Sequence, residues 1–360
     1  MKRLNLILAT VVILLTAAVA HADERHEIAF PDLPGYKTLK CDFHMHTVFS
    51  DGNVWPPVRV DEAWRQGLDA ISITDHIEYQ PHKADIPTKH SRPFELAAGK
   101  ARLLDILFIK AAEITRDTPP GHFNALFLSD INPLDTEDFV ESVKQANQQN
   151  AFVFWNHHGW KGEELGSWRD VHTTLYDGKL LHGMEVCNGS GYYPSAHKWC
   201  LEKNLTMMGN SDIHSPDLRI KSTPDEHRSM TLVFAKERTI PAIKEALQAG
   251  RTAVWYKQQM IGRKQYLAPL FDECVLVARP HLRTKNAVYT KVRNTCDLDI
   301  VLKRTGGLGP MEIRLPARST SLVKIGTKTP DKPLELKYSA TNFLVAPGKS
   351  LDVVLRVEGK

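Results

Sequence analysis

Short apolar runs alternate with amphipathic stretches through the first two-thirds of the chain. The runs 38–43, 68–74, 106–112, 121–128, 151–155, 183–188, 205–208 and 230–234 have the length and β-branched or aromatic content of strands. Between them, 56–66, 94–105, 138–149, 195–203 and 240–248 place apolar residues at helical spacing. Pro56 and Pro57 open the first helix, Val60, Ala63 and Trp64 give it one apolar face, and Gly67 stops it; Gly250 stops the last. A strand, a helix and a second strand in succession imply parallel pairing. The region up to about residue 256 therefore reads as a parallel α/β domain with buried strands, as a barrel or an open sheet. After residue 266 no helical period is evident. The runs 274–278, 287–292, 298–303, 311–315, 319–325, 334–338 and 351–357, punctuated by Gly306-Gly307, Pro316, Pro330 and Pro347-Gly348, predict an antiparallel sandwich. The expected division is 23–265 and 266–360.

The N-terminus has a different pattern. Lys2 and Arg3 precede a mostly apolar run, 4–19, and Ala20-His21-Ala22 fits the small-x-small cleavage rule. The run is shorter than the ~20 residues a spanning helix needs. Residues 1–22 are thus expected to be a signal peptide, and the mature chain to be periplasmic or secreted with no membrane contact after cleavage. Removing Lys2 and Arg3 takes the formal net charge from +4 to +2. That is too weak to suggest a nucleic-acid-binding surface. Five cysteines allow one or two disulfides, although Cys41 and Cys187 lie in strand-like runs where buried thiols are more common; no CxxC spacing points to structural zinc.

The chemistry gathers at strand ends. On a strand, residues i and i+2 share a face, so His44 and His46 can aim at one point, with Asp51 close behind in a Ser/Asp/Gly turn. Asp75, His76, Glu113, His157, Asp212 and His214 also fall at or just after predicted strand C-terminal ends; His122 opens the strand 121–128. Those ends share one face in a parallel barrel or sheet. Buried ionisable groups are costly unless paired or metal-bound, so two i, i+2 pairs with Glu113 and His157 between them predict a multinuclear metal site.

Together, His44-Met45-His46-Thr47 with Ser50-Asp51-Gly52, Thr74-Asp75-His76, Glu113-Ile114-Thr115, Gly121-His122, Asn156-His157 and Asp212-Ile213-His214 resemble, in order, the polymerase-and-histidinol-phosphatase (PHP) superfamily of metal-dependent phosphoesterases over residues 38–256. The fold this resemblance implies is a distorted (β/α)7 barrel. With an Ig-like C-terminal sandwich, the chain also resembles secreted bacterial phosphodiesterases of that superfamily. The resemblance implies two or three divalent ions of zinc, manganese or iron. The first would take His44, His46, Glu113 and Asp212. The second would share Glu113 and add His122 and His157. A third would take Asp51, His76 and His214. The family motif usually has proline after the histidine at 157; here His158 stands there, as a substitute ligand or a supporting group. The implied chemistry is in-line attack on phosphorus by a metal-bridging hydroxide held with Glu113 and Asp212.

Arg116, His227 and Arg228 are candidates to bind a phosphate ester, since a guanidinium grips phosphate bidentately. His82 and His90 are candidate proton donors, Glu185 a candidate support for the ligands, and Trp155, Trp160, Trp168, Tyr192 and Tyr193 candidate pocket walls or core. The expected function is an exported phosphoesterase acting on a small-molecule ester, a diester before a monoester. The alternatives are a phosphomonoesterase of the same family, an amidohydrolase-type metal hydrolase, and a non-catalytic periplasmic binding protein. Glu113 stands where amidohydrolases often have a carboxylated lysine, and His214 adds an imidazole; both favour the phosphoesterase.

Overall fold

A computed structural model describes residues 24–86, 89–219, 223 and 226–360. The expected signal peptide lies outside the described residues. Among them, no helix is long and apolar enough to cross a membrane.

The N-terminal part is mixed α/β and the C-terminal part all-β, as the residue pattern indicates. The first strand, Lys37–Asp42, pairs parallel with Ala70–Ile71 and antiparallel with Met230–Ala235. Leu107–Phe108 extends this sheet on one side and Thr252–Tyr256 and Gln259–Gly262 on the other. A second sheet holds Ala111–Ile114, Phe123–Leu126, Phe152–Trp155, Gly183–Asn188 and Thr206–Asn210. Leu39, Cys41, Phe43, Ile109, Leu126, Phe154, Met208 and Val233 form one buried cluster that draws on both sheets. The Thr231 hydroxyl donates to the Gly209 carbonyl and the Thr252 hydroxyl to that of Met207, which joins the two sheets along one seam.

The pairing is not uniformly parallel. Ala111–Ile114, Phe123–Leu126 and Phe152–Trp155 run antiparallel in turn. The cause is visible in the connection 115–122, which contains no helix and cannot make the crossover that parallel neighbours need. This reversal matters for the site. The N-terminal end of Phe123–Leu126 lies at the same edge as the C-terminal ends of the parallel strands, so His122 faces the same point as they do.

Helices form where the pattern indicates. Pro56–Arg65 carries proline in its first turn and buries Val60 and Ala63. Asp138 caps Phe139–Gln148 by accepting the Glu141 N–H, and Thr239 caps Ile240–Gln248. Two helices depart from expectation. Asp170–Asp177 falls where none is predicted. Lys264–Cys274 occupies the start of the expected sandwich, and Pro269 inside it removes a helical N–H and masks the helical signature.

From Val275 onward the chain is all strand. Leu334–Ala346 alternates buried and exposed positions, the period of a strand with one dry face, and pairs antiparallel with Lys349–Val357. The same long strand also pairs parallel with Gln259–Gly262, Met260 facing Phe343 and Ile261 facing Leu344. One sheet therefore runs from the α/β part into the sandwich. Trp255, Phe271, Tyr338, Phe343 and Leu351 belong to one buried apolar cluster beneath both. All five cysteines are buried free thiols, so neither possible disulfide is formed.

Candidate active site

Two backbone junctions assemble the donors. Beyond the end of Lys37–Asp42 the chain continues extended, and the segment 44–46 runs parallel to 212–214 through a Met45–Ile213 bridge. The Asp212 N–H donates to the His44 carbonyl at 2.9 Å and the His46 N–H to that of Ile213 at 3.0 Å. That register places both i, i+2 pairs side by side. Asp212 has φ of 51°, a left-handed conformation rare outside glycine and tolerated by aspartate. The second junction is a parallel bridge between His76 and Glu113. Asp51 is delivered by a turn that folds back on His46-Thr47, with the Gly52 N–H on the Thr47 carbonyl at 2.9 Å. A Cβ at Gly52 would lie 2.5 Å from the His46 carbonyl carbon, so only glycine fits there.

Nine predicted ligands meet at this edge. His44 Nε2 and His46 Nε2 are 3.1 Å apart. Glu113 is fully buried and its two oxygens face different partners. Oε2 lies 3.4 Å from His44 Nε2, 3.4 Å from His46 Nε2 and 2.9 Å from His76 Nδ1. Oε1 lies 3.1 Å from His122 Nδ1 and 3.7 Å from His157 Nε2. Asp212 straddles in the same way: Oδ1 is 3.2 Å and 3.0 Å from the Nε2 atoms of His44 and His46, and Oδ2 is 3.7 Å from that of His157. Asp51 Oδ1 is 3.2 Å from His214 Nε2 and 3.5 Å from His76 Nε2. Four overlapping donor sets result, each compact enough to surround one ion: His44/His46/Glu113, His44/His157/Asp212, His76/Glu113/His122 and His46/Asp51/His76/His214.

The donor chemistry fits divalent metals. Glu113 Oε2, Asp212 Oδ1 and Asp51 Oδ1 are all buried with no hydrogen-bond donor in bonding geometry. Such orphans are costly unless a cation completes them. Burial would raise the Glu113 and Asp212 carboxyls, but the surrounding imidazoles, His76 and His44 foremost, hold both well below the usual carboxylate range. Burial, with His76 beside it, pushes His46 down to about 3. His76 goes the other way: against its burial, Glu113 and Asp51 raise it to about 10.

A supporting layer fixes the donors. Glu185 is buried and accepts four hydrogen bonds, from His44 Nδ1 at 2.9 Å, the His157 N–H at 2.9 Å, Asn210 Nδ2 at 2.9 Å and Asn188 Nδ2 at 2.8 Å. Asp75 faces away from the cluster and takes the Thr47 N–H and the Thr47 and Ser50 hydroxyls, which locks the turn that carries Asp51. Asn156 donates to Glu113 Oε1 at 2.8 Å. The Thr115 hydroxyl lies 2.6 Å from His76 Nδ1. Arg59 has no signal in the sequence, because a helix-borne arginine ordinarily points to solvent. Here it is fully buried, paired with Glu62, and donates to the carbonyls of His46, Ile213, His214 and Ser215.

The three substrate-binding candidates separate. Arg116 lines the cleft above the donors, with its guanidinium engaged by Glu78 and the Thr136 carbonyl. Arg228 does not reach the cleft. It is buried beneath the donor loop and pairs with Asp42 at 3.0 Å and Asp217 at 2.9 Å, because a basic residue entering a buried strand must find anions there. His227 stacks on Trp255 with ring centroids 3.6 Å apart and faces the Lys257 carbonyl, also away from the cleft. Neither His82, which is exposed, nor His90, which pairs with Asp135, lines the cleft. His158 is no ligand: it is buried, bonded to the Gly166 carbonyl, and packed on Trp155, Tyr193 and Trp199. Trp155 is buried in that core and Trp168 packs against it, and the Tyr192 hydroxyl bonds His197. Trp160 and Tyr193 do line the cleft, which has a volume of about 470 Å³, and Tyr79, Lys161 and Asn188 join them.

Comparison with known proteins gives this arrangement a context. A family model described as an Ig-like domain matches residues 275–356. A crystal structure from Bacteroides vulgatus, of a two-domain protein described as containing a predicted PHP-like metal-dependent phosphoesterase, is 47% identical. The match covers 93% of this chain and 100% of that one, with a TM-score of 0.88. An uncharacterized protein of Methanocaldococcus jannaschii is 26% identical over 190 residues, 50% of this chain and 83% of its own length. A proposed metal-dependent phosphoesterase of Bifidobacterium adolescentis is 16% identical over 49% of this chain and 88% of its own, with a TM-score of 0.39. The near-full-length match, carried on the same two-part architecture, shows that this chain belongs to the PHP-like metal-dependent phosphoesterases, in their two-domain form with an Ig-like C-terminal domain.

Proposed function

We propose that the protein is an exported hydrolase of phosphate esters, with diesters preferred, and that it works with three divalent ions of zinc, manganese or iron. One observation carries the reading: the buried Glu113 carboxylate turns one oxygen to His44, His46 and His76 and the other to His122 and His157. A carboxylate so divided suits a bridge between two ions. His44, His46 and Asp212 would complete the first, His122 and His157 the second, and Asp51, His76 and His214 would hold a third. Bound ions of this kind supply an activated water and neutralise charge developing on a phosphoryl group.

The rest falls to the chain itself. Glu185 accepts from His44 Nδ1, which leaves Nε2 as the donor atom facing the cluster. Asp75 and Gly52 hold the turn that presents Asp51. Arg59 ties four carbonyls of the two donor segments together, so neither can shift without the other. The cleft is roomy enough for an ester with a substituent beyond the phosphate. The Met45–Ile213 and His76–Glu113 bridges support reading the α/β part as a distorted (β/α)7 barrel with its site at one rim.

The test is hydrolysis of bis(p-nitrophenyl) phosphate and p-nitrophenyl phosphate by purified protein supplied with manganese, zinc or iron. Metal-dependent release of nitrophenol, faster from the diester, is expected. No release from either ester with any of the three metals would overturn the proposal.

A further inference from the structure

The cleft above the donor cluster has an aromatic rim that the ligand geometry leaves unused. The Trp160 ring is 51% exposed, and its centroid lies 5.7 Å from that of His122 and 6.1 Å from that of His157. Tyr79 is 53% exposed and lies 5.8 Å from the His76 ring. The two rings thus flank the donors. Trp160 does little for the fold. Its N–H closes a turn onto the His157 carbonyl, a bond that any residue but proline would make. By contrast, Trp155 and Trp255 are buried and fill the core. Lys161 holds its ammonium 4.8 Å from the Trp160 ring centroid and pairs with Asp117, another residue of the cleft wall. A large exposed ring beside a polar, ligand-rich floor is the arrangement of a binding surface, since its apolar face gains most when a flat partner covers it.

We infer that the ester taken by this site carries a flat aromatic substituent, an aryl or nucleobase-bearing group linked through oxygen to phosphorus, which stacks on Trp160 while the phosphate occupies the donor cluster. The inference rests on the phosphoesterase reading above and narrows its substrate class. The volume of about 470 Å³ accommodates a phosphate together with a ring system. Asn188 and Tyr193 add polar groups to the lining, and Arg116 and Lys161, each paired with a carboxylate, add more. Tyr79 bounds the other side and limits how far a second substituent can spread.

Two non-hydrolysable probes separate ring recognition from phosphate recognition: phenylphosphonate and methylphosphonate, titrated calorimetrically into the manganese-loaded protein. The wild type is expected to favour the phenyl compound by about tenfold, the worth of one aromatic stack. Trp160→Ala should reduce that preference to about threefold or less, and Trp160→Phe should keep most of it. Equal binding of both probes by the wild type, or an undiminished preference in Trp160→Ala, overturns the aromatic inference and leaves the phosphoesterase reading standing. Failure of the wild type to bind either phosphonate overturns both.

Discussion

Replacing Glu185 by glutamine changes one oxygen to nitrogen and leaves the shape intact, yet the structure gives the new amide nowhere to go. Oε1 accepts from His44 Nδ1 and Asn210, and Oε2 from the His157 N–H and Asn188. Whichever oxygen becomes NH2, two donors then face a donor. If the nitrogen lies on the His44 side, the imidazole can escape only by moving its proton to Nε2, the atom that must carry a lone pair toward the cluster. Asn210 cannot turn over freely, because its Oδ1 already accepts the Phe43 N–H at 2.8 Å. If the nitrogen lies on the other side, the backbone N–H of His157 is orphaned in a buried place, at roughly 1–3 kcal/mol. Changes to such supporting groups typically weaken metal binding by about 10–100-fold, or about 1.4–2.7 kcal/mol. The assay is competition of apoprotein with a chromophoric chelator for manganese and zinc. Affinity of Glu185→Gln within about twofold of the wild type would refute the claim that Glu185 sets the His44 tautomer.

Three further outcomes are expected. His46→Ala should abolish turnover, whereas Asp51→Ala should leave two ions bound per chain by elemental analysis and lower kcat; if both variants hydrolyse diesters like the wild type, the three-ion assignment is wrong. Phe343→Ala removes a fully buried ring at the junction of the two parts and should cost about 3–5 kcal/mol; the whole chain should lose stability in one denaturant transition, and an unshifted midpoint for the α/β part would contradict the shared core. His172 is buried and neutral, taking the Arg169 N–H on Nδ1 and meeting the Pro120 carbonyl with Nε2, and burial holds its pKa at about 4. Below its ordinary value near 6.5 the unfolded chain binds a proton that the folded chain refuses, so stability is full above about 6.5 and falls toward pH 4, by up to roughly 3 kcal/mol; urea midpoints at pH 7 and 4.5 should converge for His172→Gln relative to the wild type.

The convergence of the candidate donors was legible because two rules act on them. The period of a strand aims His44 with His46, and buried charge demands partners, so the carboxylates of Glu113 and Asp212 had to meet something of opposite character. Arg228 obeys the same electrostatic rule with a different outcome. A basic residue ahead of a buried strand suits a phosphate or a carboxylate equally well, and only the fold brings Asp42 and Asp217 to it. Arg59 was invisible for a related reason: its partners are backbone carbonyls, which leave no trace in residue identity. The antiparallel course of Phe123–Leu126 could have been read from the missing crossover helix, whereas Lys264–Cys274 was hidden by its own Pro269.

The pairing of Gln259–Gly262 with Leu334–Ala346 bears on how the molecule is made. During synthesis the α/β part leaves the ribosome with the edge of Gln259–Gly262 unpaired, and it stays so until the chain has grown some eighty residues further. Met260, buried in the finished protein in a cluster that includes Phe343 and other residues of the late strands, lacks those neighbours for that interval. An open strand edge with apolar neighbours is a template for the wrong partner, including the same edge of a second nascent chain. The late strand thus acts as a stopper as well as a scaffold. Chains truncated before residue 343 should accumulate as aggregates even with every candidate metal ligand present.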